Sequence, residues 1–159
     1  MKFGFDILFF AIIGLSSLGC FVVGEEKAQR LAIGVLVGSF AVTQFSEPIT
    51  KLLSGKVGFL DQFIVTIALM VIAILVCLLG KNVRDKKWPK SKIKAIVFGA
   101  LSGIVAIAYV IAGMPSDVRT ALTTDYNLAA LAYDLRLYLS GALVVWLLAS
   151  YVTVGKAKN

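Results

Sequence analysis

Residues 81–94 of the chain read KNVRDKKWPKSKIK, and long apolar runs lie on both sides of this stretch. Seven of the sixteen basic residues of the chain fall within it: Lys81, Arg84, Lys86, Lys87, Lys90, Lys92 and Lys94. It carries a single acidic residue, Asp85. Lysine and arginine resist transfer across a membrane during insertion and therefore stay on the cytoplasmic side. This basic loop (residues 81–94) indicates a multi-pass membrane protein whose loop faces the cytoplasm.

The composition of the whole chain agrees with that interpretation. Hydrophobic residues make up 59% of the chain, charged residues only 16%, and the mean hydropathy is +0.91, which is too apolar for a water-soluble globular protein. In lipid, every backbone N–H and C=O group has to find a partner inside the protein, so long apolar runs form helices. The sequence therefore predicts an all-α, polytopic transmembrane helical bundle in which residues 1–159 form a single domain.

Five uncharged runs are candidate spans, and they cover residues 7–24, 31–46, 62–80, 95–116 and 137–155. A bilayer core of about 30 Å requires about 20 helical residues. The second run reaches only about 24 Å at roughly 1.5 Å per residue, so it is either a short span or a re-entrant hairpin. Five crossings concentrate lysine and arginine on the cytoplasmic side more strongly than four do, which favours five spans.

The predicted location is the cytoplasmic (inner) membrane, with the N-terminus outside and the C-terminus in the cytoplasm. Before the last span, Leu128, Leu131, Leu135 and Leu139 recur at helical spacing, and Tyr126 and Tyr133 lie on other faces. Tyrosine is enriched where a membrane meets water. This pattern predicts an amphipathic helix at the outer interface that continues into the fifth span.

Few residues in the chain are of the types that support catalysis or metal binding. There is no histidine, which removes histidine-based catalysis and histidine metal sites, and no phosphate-binding or nucleophile motif occurs. Cys20 and Cys77 lie in apolar runs without the spacing of a metal or redox motif. The basic residues lie in a loop between spans, not along a soluble face, so we expect contact with membrane lipids and no nucleic-acid binding. We expect no enzyme activity, no metal and no cofactor.

Small residues recur at four-residue spacing in three of the runs. Helices in lipid associate where small residues allow the backbones to approach closely. The candidate contact positions are Gly34 and Gly38 in the second run, Ala95, Gly99 and Gly103 in the fourth, and Ser16, Cys20 and Gly24 in the first. They predict either packing within the chain or a face for self-association.

Four polar residues are candidates for a path through the membrane. Gln44 and Glu47 close the second run and Asp61 precedes the third, so together these side chains would ring an outer vestibule. Asp134, close to the last span, is a fourth candidate, because ionisable residues within membrane segments often have functional roles.

A weak internal repeat is also visible. Asp6 and Asp61 each open an odd-numbered run, and the glycine pairs Gly34/Gly38 and Gly99/Gly103 lie in even-numbered runs that are followed by prolines. Many membrane transporters are built from repeats. The pattern leads to the hypothesis that the first four spans are two related helical hairpins.

From about residue 5 to residue 115 the chain resembles the colicin V production (CvpA) family of small bacterial inner-membrane proteins. The residues that carry the resemblance are an early acid in FDIL at 5–8, a glycine-bearing second run followed by Pro48, and the glycine-rich FGALSG at 98–103. The resemblance implies a role in export or envelope maintenance without a catalytic site.

These observations lead to three hypotheses. The first is a non-enzymatic component of transport, secretion or envelope maintenance that acts through helix contacts with other membrane proteins or with copies of itself. The second is a small homo-oligomeric channel or transporter lined by the four polar residues. The third is an accessory subunit of a larger membrane complex.

The predicted orientation can be tested by labelling. We expect a Lys86→Cys variant to react with a membrane-impermeant maleimide only after the membrane has been made permeable, because positive charge holds this loop in the cytoplasm. An Asp125→Cys variant, on the opposite side, should react in intact cells. Labelling of position 86 in intact cells would contradict the topology.

Overall fold

The computed structural model describes residues 3–54, 59–79 and 92–156 of the chain. These residues form seven helices in the order α1 (Phe3–Val23), α2 (Glu25–Ser54), α3 (Phe59–Leu79), α4 (Lys92–Ala112), α5 (Ser116–Asp125), α6 (Asn127–Asp134) and α7 (Arg136–Lys156). No strand occurs in these ranges. The predicted all-α helical bundle is therefore confirmed.

The outside of the bundle is apolar, as a membrane protein requires. Leu15 and Val22 of α1, for example, are 71% and 80% exposed. Helices α1 to α4 are each long and apolar enough to cross a membrane, and α6 with α7 forms a fifth candidate span that bends by 58° where the two helices join. A continuous surface of this kind would promote aggregation in water, and lipid solvates it. The structure is compatible with a multi-pass membrane protein of four or five spans.

The second span differs from the expectation of a short or re-entrant segment, because α2 is a continuous helix of 30 residues. Arg30 and Glu47, the charged residues that flank the uncharged run, lie on the helix itself. Arg30 donates to Glu26 across one turn at 2.9 Å, and Lys51 pairs with Glu47 in the same way. Pro48 lies inside the helix and removes one backbone N–H without ending it.

Other helix limits also differ from the sequence expectation. Helix α4 begins at Lys92, so Lys92 and Lys94 belong to a helix and not to the basic loop. The Lys92 ammonium lies 5.0 Å from the centre of the Phe21 ring. The remaining basic-loop residues, Lys81, Arg84, Lys86, Lys87 and Lys90, lie outside the described residues. The predicted amphipathic helix does not continue straight into the last span, because it is interrupted at Leu135: α6 ends at Asp134 and α7 begins at Arg136, with a bend of 58° between them. Ala129 and Ala132 are the buried residues of α6.

Helices α2 and α4 run side by side at the centre of the bundle. Helix α1 packs on the outer side of α4, and α3 packs on the outer side of α2. The buried core between these helices is apolar and includes Val35, Val42, Phe98, Val105 and Leu143. A second cluster joins α1, α4 and α6 through Phe9, Ile111 and Ala129.

Glycines in the two central helices allow the outer helices to approach closely. A Cβ atom at Gly99 would lie 2.5 Å from the carbonyl oxygen of Ser16, and one at Gly34 would lie 2.8 Å from the Cα atom of Ile74. Both distances are shorter than non-bonded atoms allow. Gly38 and Gly103, one turn further along, contact Met70 and Ser16 in a similar way. A Cβ atom at Gly34 or Gly99 would therefore require a shift of the neighbouring helix, whereas one at Gly38 or Gly103 would make tight contacts of 3.2 to 3.4 Å with the facing helix, apart from the flexible Met70 side chain.

The two contacts repeat in the same register, atom for atom. Gly99 faces the carbonyl oxygen of one residue, the Cα of the next and the Cβ of a cysteine: Ser16, Ser17 and Cys20. Gly34 faces the same three kinds of atom in Ala73, Ile74 and Cys77. Gly103 faces the Cα of Ile13, and Gly38 faces the Cα of Met70. A single offset relates these contact residues of α1 to those of α3.

This register agrees with the hypothesis of two related helical hairpins. The structure adds which helices of the two hairpins pack on each other. The first helix of each hairpin packs on the second helix of the other hairpin, so that α1 meets α4 and α3 meets α2. The aspartates and prolines noted in the sequence do not correspond in this register, because Asp6 aligns with Phe63 and Pro48 with Gly113. The two hairpins therefore share a way of packing helices, and they do not share corresponding aspartates and prolines.

The glycine contacts predict a pair of equivalent variants. We expect Gly34→Leu and Gly99→Leu each to destabilise the bundle by about 1–3 kcal/mol, because each inserts a side chain where an outer helix already lies. The measurement is thermal unfolding of the purified protein in mild detergent. Gly19→Leu, at an exposed position of α1 with open space around it, is the control and should unfold like the unmodified protein. Equal stability of all three variants would show that the close approach is not required.

Candidate functional site

A cleft lies between α2 and α7, with α4 as its floor. Helix α7 rests on α4, where the Trp146 ring meets the Phe98 ring edge-on at 6.2 Å, but it makes few contacts with α2. The space left between the two helices has a volume of about 1220 Å³. It lies at the end of the bundle where α4 ends and α5 and α6 follow. Its volume exceeds the roughly 300–1,000 Å³ of typical small-molecule sites.

The polarity of the cleft changes along the helix axes. Its outer end is lined by polar and charged residues of three helices: Thr43, Gln44 and Glu47 of α2, Ser116, Asp117 and Arg119 of α5, and Arg136 and Ser140 of α7. Deeper in the bundle the lining is apolar, with Leu36 and Phe40 from α2 and Val144 and Val145 from α7. At a rise of about 1.5 Å per residue, Leu36 lies roughly 16 Å below Glu47. The cleft thus has a polar end and an apolar end.

The apolar end of the cleft opens sideways. Phe40 of α2 is 64% exposed and Val145 of α7 is 66% exposed, although both line the cleft. In a membrane, side chains exposed at this depth face lipid acyl chains. Gly141 of α7 also lines the cleft, and a Cβ atom added there would meet nothing within 4 Å. A molecule in the bilayer can therefore reach the cleft from the side.

The floor of the cleft is held by hydrogen bonds between helices. The Gly113 carbonyl, directly after α4, accepts a hydrogen bond from the Gln62 amide at 2.8 Å and a weaker one from the Thr66 hydroxyl at 3.3 Å. A Cβ at Gly113 would collide with Val42 and Thr66, so three helices meet at this glycine. Tyr109, which is buried, has its hydroxyl 3.5 Å from that of Ser140. These contacts join α2, α3, α4 and α7 beneath the polar end.

The cleft does not continue through the bundle along α4. Its lining residues on this helix begin at Tyr109, and none comes from the earlier part of α4. That part is packed against α2 through Val105, Phe98 and Ala95, which are completely buried. The cleft is therefore a site closed toward the basic-loop end in the described residues.

Two arginines and a tyrosine form the most strongly polar part of the cleft. The Arg136 guanidinium lies 4.0 Å from the centre of the Tyr133 ring, and that of Arg119 lies 5.4 Å from it. Each arginine also donates one hydrogen bond to a main-chain carbonyl: Arg119 to Ala112 at 3.2 Å, and Arg136 to Tyr133 at 2.6 Å. Across the described part of the chain, neither guanidinium has a carboxylate partner. Most of their N–H donors are therefore free to bind a ligand.

The structure brings together only part of the predicted polar path. Gln44 and Glu47 line the cleft, as the vestibule hypothesis requires. Asp61 and Asp134 are exposed and do not line it, although their neighbours Gln62 and Tyr133 do. Adjacent residues of a helix point about 100° apart, so a position next to a lining residue faces a different surface. The four residues do not form one path.

The predicted small-residue contacts lie within the chain, with one exception. Gly34, Gly38, Gly99 and Gly103 contact helices of the same chain, Ser16 and Cys20 form the surface opposite Gly99, and Ala95 is completely buried. Gly24 differs, because it lies between α1 and α2 with a φ of 89°, a conformation that residues with a Cβ rarely adopt. Its role is to allow the turn, and it has no packing contact within 4 Å of an added Cβ.

Several cleft residues were not singled out from the sequence. Gln62 lines the cleft, and Thr66, one helical turn further along the same apolar run, donates to the Gly113 carbonyl at its floor; this spacing could have predicted a polar face on α3. Arg119 and Tyr109 carry no such signal. They belong to different helices, and only the packing of α4, α5 and α6 brings them into one cleft.

Comparisons with known proteins do not assign the cleft. A scan against protein-family models, a search of curated proteins and a search of solved structures each found no match. The resemblance to the colicin V production family therefore stays a prediction from the sequence.

Proposed function

We propose that this chain is a non-enzymatic membrane protein that binds a lipid or a lipid-like amphipathic molecule in the cleft between α2, α4 and α7. One observation carries the proposal: the cleft is polar at its outer end, apolar in its depth and open sideways at the apolar end. An amphipathic molecule has the same division between a polar head and an apolar chain. Its orientation in a bilayer also matches that of the cleft.

The sideways opening of the cleft favours a ligand that enters from the membrane over one that enters from water. A molecule entering between Phe40 and Val145 keeps its chain in apolar surroundings throughout, so no apolar surface has to pass through water. Its head can then replace water among Gln44, Ser140 and the two arginines. A small water-soluble ligand would fill only the polar end and leave the apolar lining without a partner.

The glycine contacts favour ligand binding over assembly through helix notches. Gly34 and Gly99 are occupied by α3 and α1 of the same chain, so another protein cannot use these notches unless the bundle opens. A path lined by all four polar residues is likewise not supported, because Asp61 and Asp134 lie outside the cleft. We propose that lipid binding on the outer side of the cytoplasmic membrane serves transport or envelope maintenance, the processes that the family resemblance implies.

Filling the cleft provides the test. We expect Gly141→Trp to reduce the fraction of protein that retains a bound lipid by about tenfold, because the indole would occupy the cleft without displacing a neighbouring side chain. Native mass spectrometry of protein released from mild detergent measures the bound mass.

Gly19→Trp is the matched control, because it adds the same side chain at an exposed position outside the cleft. It should retain lipid like the unmodified protein. Equal lipid retention in the Gly141→Trp and Gly19→Trp variants would refute binding in the cleft.

A further inference from the structure

The two arginines of the cleft, Arg119 and Arg136, contact the same aromatic ring and line the same space. Arg119 comes from α5 and Arg136 from the start of α7, and both guanidinium groups lie over Tyr133 of α6. An aromatic face attracts a guanidinium group through its quadrupole and limits the orientations it adopts. The main-chain hydrogen bonds to Ala112 and Tyr133 restrict the two side chains further. Two neighbouring cations are thus positioned before any ligand arrives.

The acidic residues of the cleft do not neutralise this pair. Glu47 is paired with Lys51, and the Asp117 carboxylate accepts a hydrogen bond from the Ser116 hydroxyl at 3.0 Å. In the ranges that the structure describes, neither carboxylate forms an ion pair with Arg119 or Arg136. The two positive charges repel each other in partly dehydrated surroundings, and an anion placed between them would relieve that repulsion.

We infer that Arg119 and Arg136 together bind the phosphate of an anionic phospholipid, with Tyr133 as the residue that positions them. The inference rests on the proposed function, since it assigns the head of the molecule bound in the cleft. Guanidinium groups match phosphate oxygens with paired N–H donors, and two of them can surround one tetrahedral group. The order of residues along α7 also matches a phospholipid. Arg136, the first residue of α7, lies where the phosphate would bind, and the apolar Val144 and Val145 lie two turns deeper, where the acyl chain would lie.

A head without net charge fits the site less well. A zwitterionic phospholipid brings its own cation close to Arg119 and Arg136, which weakens the gain from neutralising them. An anionic phospholipid with the same acyl chains lacks that cation. The arginines therefore determine selectivity between heads, and the apolar half of the cleft determines whether a chain binds at all.

The test compares two lipids on the full-length protein in mild detergent. Phosphatidylglycerol and phosphatidylcholine with identical chains are titrated separately, and the bound fraction is measured by native mass spectrometry. We expect the unmodified protein to prefer phosphatidylglycerol, and Arg119→Gln/Arg136→Gln to lower that preference about tenfold while phosphatidylcholine binding stays within about twofold. Lys27→Gln/Lys92→Gln removes two positive charges at the opposite end of the bundle and should keep the preference.

Three further measurements decide the interpretation. Arg136→Lys keeps the charge but loses the planar group, so it should lose part of the preference and remain folded. High salt should lower the preference of the unmodified protein, which needs no variant. Inorganic phosphate at the same concentration should not displace phosphatidylglycerol, and full displacement would overturn the assignment to a lipid head in favour of free phosphate.

The outcomes separate this inference from the proposed function. If the arginine variants keep the full preference for phosphatidylglycerol while Gly141→Trp still abolishes binding, the assignment of the phosphate is wrong and the cleft still binds lipid. If Gly141→Trp leaves the binding of both lipids unchanged, lipid binding in the cleft is refuted, and the inference that rests on it is refuted as well. Loss of phosphatidylglycerol preference in the arginine double variant alone is the result that supports the inference.

Discussion

The close approach of helix backbones at glycine is the contact on which the rest of the structure depends. In lipid, apolar side chains gain little from leaving their surroundings, so helices associate mainly through tight packing. Gly34 admits α3 and Gly99 admits α1 at distances that a Cβ atom would prevent, and Gly38 and Gly103 extend these close contacts by one turn. Both central helices are therefore covered on their outer sides. The remaining faces of α2 and α4 contact each other and α7, and α4 also contacts α6.

The cleft follows from the way in which the fifth candidate span is built. Helices α6 and α7 join with a bend of 58°, so α7 descends beside α4 while α5 and α6 stay at the end of the bundle. Helix α7 meets α4 through Trp146 and Ser140 and leaves α2 largely uncovered. The groove between α2 and α7 thus combines apolar surface from two spans with polar residues from the helix ends. This juxtaposition is what makes an amphipathic ligand the best match.

The register of the two glycine contacts changes the residue correspondence that the repeat in the sequence suggests. The glycine pairs were visible from spacing alone, whereas the aspartates and prolines that accompanied them do not correspond in the structure. The true correspondence joins Ser16, Ser17 and Cys20 with Ala73, Ile74 and Cys77, and only the two cysteines are identical in type. What the two halves share is the distance between backbones, which depends on side-chain size and not on chemical identity.

The sequence by itself determined the class of the protein, because lipid forces long apolar runs into helices whatever their neighbours are. It also predicted the glycines at the helix contacts, whereas α2 is longer than its uncharged run and Lys92 and Lys94 belong to α4 and not to the basic loop. Only the tertiary structure decided that Gln44 shares a cleft with Arg119 and Arg136 and that Asp61 and Asp134 do not. The physical reason is that successive side chains of a helix point about 100° apart. Which side chains share a surface therefore depends on how whole helices are rotated against one another.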